Sequence, residues 1–120
     1  MSASIQSIVE FMKANLHRKL ALGEIARTVG LSHPHICYLF KYEFGLSPGQ
    51  YLKMLRMQKA RELLEGTSIS IKEIIAKVGI QDQSHFTRDF KKVYAVTPFK
   101  YRERFAGENL IGEGPGEAKS

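Results

Sequence analysis

Cysteine is nearly absent: the 120 residues contain one, Cys37, so no internal disulfide framework can form, and a reducing compartment suits the chain. Long apolar runs are missing too. Nothing approaches the ~20 residues of a membrane-spanning helix, and the N-terminus lacks the continuous apolar segment of a secretory signal, so no membrane partner and a cytoplasmic location are expected. Catalytic and metal-binding constellations are equally scarce. His33, His35 and Cys37 alternate at a spacing that diverges on a helix, leaving at most His33 with Cys37 on one side and no further ligand nearby in sequence. Asp82, Ser84 and His85 are close neighbours on one segment, not groups converging on a cleft from different elements. An enzyme and a metalloprotein are both disfavoured, and no cofactor is expected.

Acidic charge is in short supply. The chain has 18 Lys and Arg against 12 Asp and Glu, and because Glu108, Glu113 and Glu117 lie in the tail with Lys119, residues 1–105 hold 17 basic and 9 acidic side chains, a net +8. So basic a body favours a polyanionic partner. With hydrophobic residues at 43%, a chain this short can fill the core of one domain or of two very small ones.

What is present is organised around one stretch. Ser47-Pro48-Gly49-Gln50 followed by YLKMLRMQKARELLEG predicts a long helix: Ser47 as N-cap, Pro48 in the first turn, Gln50 as capping-box partner and Gly66 as the stop. Tyr51, Leu52, Leu55, Ala60, Leu63 and Leu64, broadened by Met54 and Met57, form its apolar stripe, while Lys53, Arg56, Lys59 and Arg61 leave the other flanks basic.

The segments on either side are two versions of one unit. Before the long helix, Met1–Ser4 reads as frayed, the apolar set from Ile5 to Leu16 as a first helix ending near Asn15 to Arg18, GEIARTVG as a short helix closed by Gly30, and Ser32 as the cap of a helix whose core face is Ile36, Leu39 and Phe40, with Phe44 as a further candidate and Gly45 as its stop. After it, Glu73 to Ile80 repeats Glu24 to Leu31 at 49 positions; then, one residue further on, Phe90-Lys91, Ala95, Thr97-Pro98 and Tyr101 answer Phe40-Lys41, Gly45, Ser47-Pro48 and Tyr51 at 50. In this second copy Ser70 with Glu73 caps one helix, Asp82 caps the next, whose core face is Phe86, Phe90 and Val93 or Tyr94, and Thr97-Pro98 opens a last short helix. Residues 106–120, rich in glycine and glutamate, read as disordered, with Leu110 and Ile111 as the one apolar pair that could dock.

The expected fold is therefore all-α, with about seven helices: a first helix-turn-helix subdomain over 5–46, a shared linker helix over 47–65 and a second helix-turn-helix subdomain over 66–105. In such a unit the second helix enters the major groove of double-stranded DNA. The outward residues are then candidate readers. Gln83, Ser84 and Arg88 are best placed for base edges, since Gln matches adenine and Arg matches guanine through paired hydrogen bonds. In the first copy the outward set includes Pro34, Cys37 and Tyr38, with Tyr38 suited to a base, a sugar or a thymine methyl. Lys41, Lys91, Lys92 and the cap hydroxyls of Ser47 and Thr97 suit phosphates. A rod of about 25 Å plus the offsets at its ends meets the roughly 34 Å between successive major grooves, so a monomer suffices. The competing reading is a helical protein-interaction module that has lost DNA binding; it requires an apolar patch in place of the basic face.

The runs GLSHPHICYLFKYEFGLSPGQYL and IKEIIAKVGIQDQSHFTRDFKKVYAVTPFKYRER resemble the two halves of the AraC/XylS family DNA-binding domain over residues 5–105. The resemblance implies a seven-helix domain that binds asymmetric promoter sites and regulates transcription, most often as an activator, with RNA polymerase as a further partner. Its groove-reading positions fall on Pro34, Cys37, Tyr38, Gln83, Ser84 and Arg88. It also implies an effector or receiver domain in a longer chain, unless this one works alone. Three positions depart from the family pattern: Tyr38 where arginine is frequent, Ala95 for a glycine, and Ile75 for an alanine.

Overall fold

Seven helices and no strand make up the described residues of the computed structural model, which cover the backbone of residues 2–112 and the side chains of residues 2–107. They are α1 (Ala3–Ala14), α2 (Leu22–Val29), α3 (His33–Phe44), α4 (Pro48–Gly66), α5 (Ile71–Lys77), α6 (Gln83–Tyr94) and α7 (Pro98–Gly112). Local chemistry sets most of the boundaries. Ser47 and Gln50 form the reciprocal capping box at the start of α4, and Ser70 with Glu73 does the same for α5. The Ser32 and Asp82 side chains accept from the backbone N–H groups of His35 and Ser84, which starts the second helix of each unit. Gly30 and Gly45 close α2 and α3 in the left-handed conformation, at φ 72° and 70°.

Three boundaries differ from the sequence reading. Ser2 caps α1 by accepting from Ile5 N at 3.2 Å, so the helix begins at Ala3 within the stretch read as frayed. Gly66 is the last helical residue of α4 instead of a left-handed stop. Thr67 ends the helix in an extended conformation, its hydroxyl donating to the Leu63 carbonyl at 2.7 Å. The helix α7 continues to Gly112, into the segment expected to be disordered, because each residue added to an established helix gains a backbone hydrogen bond. Residues 113–120, and the side chains of Leu110 and Ile111, lie outside the described ones.

Two hydrophobic cores are strung along α4. Tyr51 and Leu55 complete the first with Ile5, Ile8, Met12, Ile25, Ile36 and Phe40. Met57, Ala60 and Leu64 complete the second with Ile74, Ile75, Val78, Phe86 and Phe90. Ile75, bulky for its position in the resemblance, is buried in this core. Neither set of short helices closes a core without the shared helix. The result is an elongated body, 55 × 30 × 22 Å, with the 19 residues of α4, about 28 Å of helix, between its halves.

The duplication extends to an aromatic triad. Phe40 meets Tyr51 edge-on at 5.4 Å and 72°, and 50 positions later Phe90 meets Tyr101 at 5.7 Å and 76°. Phe44 stacks on Tyr51 in the first unit; its counterpart Tyr94 packs on Phe90 in the second, which leaves Val93 exposed. Tyrosine in place of phenylalanine gives the second triad polar contacts. The Arg61 guanidinium lies over the Tyr94 ring at 5.6 Å, and the Tyr101 hydroxyl donates to Glu65. Burial, reinforced by that carboxylate, pushes the Tyr101 phenol up to about 12. Arg102 of α7 then donates to the carbonyls of Ile69 and Thr67, fastening the turn that follows α4.

Ala95 occupies the left-handed C-cap of α6 at φ 71°, the one non-glycine residue with positive φ among those described. Its counterpart is Gly45. An L-residue there pays about 1 kcal/mol in steric strain, so Ala95→Gly is expected to raise stability by roughly 0.5–1 kcal/mol, measured by denaturant unfolding at constant m. An unchanged or lower midpoint would show that the strain is relieved elsewhere.

Candidate nucleic-acid interface

In each unit a short helix, a tight turn and a second helix follow one another, and the second helix keeps one face on the core and one in solvent. For α6 the inward residues are Phe86, Asp89 and Phe90. The opposite face exposes Gln83, Ser84, Arg88, Lys91 and Lys92. Gln83, Ser84, Arg88 and Lys91 line one shallow depression with Thr87 and Thr97, so candidate base readers and candidate phosphate contacts of the second unit share a surface. The half-buried Thr97 accepts from Lys100 N at 3.2 Å and Ser47 from Gln50 N at 3.2 Å. Both hydroxyls thus cap the helices that follow the second helix of each unit.

In the first unit Pro34, Cys37, Tyr38 and Lys41 are exposed on α3. Tyr42, which sequence reasoning did not single out, joins them at 78% exposure, and its ring stacks with that of Tyr38 at 6.0 Å and 20°. The signal was in the duplication: Tyr38 and Tyr42 stand 50 positions before Arg88 and Lys92. One unit therefore shows stacked phenols where the other shows two cations.

The geometry between the two second helices is fixed at a seam that the sequence did not disclose. Gly79, in the turn between α5 and α6, has φ 74°, and a Cβ built there would lie 2.1 Å from the carbonyl oxygen of Leu16 in the first unit. Only glycine fits, because the two backbones touch. Arg56 crosses the same seam. Half-buried on α4, it donates from Nη2 to the Arg18 carbonyl at 2.8 Å and from Nη1 to the Gly79 carbonyl at 3.4 Å. Burial lowers the guanidinium pKa from its ordinary value, and Nε is enclosed without a protein hydrogen-bond partner. Arg18 is itself held by a paired contact with Glu24, which keeps the Glu24 carboxyl below its usual range.

A second tie runs from the linker helix to α6. Asp89, 7% exposed, accepts from Lys53 Nζ at 3.2 Å and lies 3.4 Å from His85 Nε2. Asp89 points inward beside Arg88, which points out. Apolar periodicity passes over it because it is charged and its partner Lys53 is distant in sequence; its position in the first unit, Leu39 on the core face, is the signal that could have found it. Among the described residues no three His, Cys, Asp or Glu side chains gather as a metal site, and no helix is long and apolar enough to cross a membrane.

Comparison with known proteins bears on what this surface meets. Residues 25–104 match the model of a helix-turn-helix domain family. The lactose operon transcription activator of Staphylococcus xylosus is 32% identical over 109 residues, 91% of this chain but 39% of that protein, so the chain spans well under half of that longer relative. An AraC-type transcriptional regulator from Chromobacterium violaceum superposes with a TM-score of 0.81 at 31% identity, over 94% of this chain and 95% of that one. The C-terminal domain of AraT, a response regulator from Geobacillus stearothermophilus, gives 0.79 at 31% identity over 86% of each chain.

The seam bears on stability, independently of the outward faces of α3 and α6. Arg56→Met keeps the packing of the side-chain stem but leaves two carbonyls without their charged donor, and should cost about 1–3 kcal/mol in denaturant unfolding. Gly79→Ala forces the same seam apart. Residues sharing one contact couple, so the double variant should deviate from the sum of the singles by more than about 0.5 kcal/mol; strict additivity would mean that the two residues act independently.

Proposed function

The chain belongs to the AraC/XylS family of helix-turn-helix DNA-binding domains, and from that premise we propose that one monomer binds an asymmetric double-stranded DNA site, with α3 and α6 in successive major grooves. The observation that carries this reading is the pair of outward second helices tied to one rigid linker helix across a locked seam. Two groove readers on one face of B-DNA must lie about 34 Å apart. A 55 Å body with α4 between its halves has the reach. Arg88 and Gln83 are the proposed base readers of the second block, supported by Ser84. Lys41, Lys91 and Lys92 are assigned to phosphates, together with the N-terminal turns capped by Ser47 and Thr97. In the first block Pro34, Cys37 and Tyr38 face the bases with little hydrogen-bonding capacity, so they read mainly shape and apolar features.

Transcription then responds through the position of the site, by contact with RNA polymerase or by obstruction of it. A receiver or effector domain joined to this one is the proposed source of control, by analogy with the response regulator AraT, whose C-terminal domain shares the fold.

Selection of bound duplexes from a random pool at near-physiological salt tests the reading. It predicts an asymmetric site of two short blocks about one helical turn apart, bound by one protein; absence of any enriched sequence would overturn it. On that site Arg88→Ala should lose about 1–3 kcal/mol of preference over scrambled DNA. Lys92→Ala should weaken all duplexes alike and reduce the salt slope by about one. Equal losses on both DNAs for Arg88→Ala would remove Arg88 from the base readers.

A further inference from the structure

We propose that Tyr38 and Tyr42 form a single apolar reading plate on α3 that selects thymines by their C5-methyl groups, making the first block T-dependent and the contribution of the two rings largely independent of salt. The inference rests on the DNA-binding reading above and adds a residue, Tyr42, and a ligand feature to it.

Three observations carry it. The rings are stacked at 6.0 Å and 20°, and they stand 62% and 78% exposed. They are the most exposed pair of large apolar side chains in mutual contact on the described surface, and an aromatic pair held open to water gains by being covered. Their register supplies the occupant. Tyr38 stands where the second unit has the base reader Arg88, so a base edge lies against its ring; Tyr42, at the register of the phosphate-directed Lys92, extends the plate from Tyr38 toward the strand and is held in it by the stacking.

In a major groove, a phenol face finds two kinds of base edge. Hydrogen-bonding edges of guanine, adenine and cytosine gain little from a ring face and lose water to it. The thymine C5-methyl is the one apolar group in the groove, and it loses water at no polar cost. Arg88 and Lys92 cannot substitute for this, nor can the rings substitute for them: a cation releases counterions on binding, whereas a neutral ring does not. The duplication has therefore placed hydrogen-bonding base contacts on α6 and apolar base contacts on α3, with Lys41 and Lys91 as phosphate contacts common to both.

The test replaces thymines of the α3 block by deoxyuridine one at a time in the selected duplex, which removes the methyl group and leaves every hydrogen-bonding group in place. Wild-type affinity should fall about fourfold at each contacted position, the value of one buried methyl. Tyr38→Ala or Tyr42→Ala, both at exposed positions, should abolish that sensitivity and leave the salt slope unchanged; Tyr42→Phe should retain it. Wild-type indifference to deoxyuridine throughout the block overturns the inference and leaves DNA binding intact. Alanine variants that keep full sensitivity overturn it too, as does a micromolar dimer of the free protein that both alanine changes dissolve without altering the response to deoxyuridine. Failure to bind any duplex overturns the DNA reading and this inference with it.

Discussion

Backbone contact between Gly79 and Leu16 is the constraint on which the rest of the molecule depends. Two units of about 45 residues, each too small to hold a core alone, could share a helix and still swing about it. Glycine brings the turn of the second unit against the α1 end of the first at a distance that no side chain permits. Arg56 then spans the joint, with one guanidinium nitrogen on each unit. A charged group in a half-buried seam is costly unless bonded, so the arrangement tolerates little displacement. The linker helix sets the distance between the outward faces of α3 and α6 that are proposed to read DNA, and the seam sets their angle.

Asymmetry is built on that symmetric frame. Both units use the same aromatic triad and the same left-handed C-cap, but the second replaces Phe44 by Tyr94 and ties it to Arg61. Polar tertiary contacts support the second unit: Asp89 with Lys53, Tyr101 with Glu65, and Arg102 with the carbonyls after α4. These hold α6 and α7 to the linker helix with directional bonds.

Much of this was legible in the chain. Capping residues act over three or four positions, so Ser47 with Gln50, Ser70 with Glu73, and Asp82 fixed their helix starts from sequence, and the repeat spacing located the second unit from the first. The outward placement of Arg88, Gln83 and Tyr38 followed from the same periodicity. What was not legible depends on distant partners. Lys53, Arg56 and Arg61 read as parts of the basic flanks of the linker helix, since nothing local distinguishes a solvated arginine from one bonded to a carbonyl 38 positions away. Asp89 was hidden for the same reason. Gly66 offered a stop, but a threonine one residue later supplied a hydroxyl for the last turn and ended the helix instead. Tyr42 was visible only by comparing the two copies residue by residue.

One monomer is proposed to hold its two readers at a fixed phase. This is tested most directly by inserting about half a helical turn, 5 base pairs, between the two blocks of the selected site and titrating the monomer. A rigid pair cannot follow the second block to the opposite face of the duplex, so affinity should drop to that of a duplex carrying either block alone. Undiminished affinity for the half-turn insertion would contradict the claim and mean that the two units move independently about the linker helix.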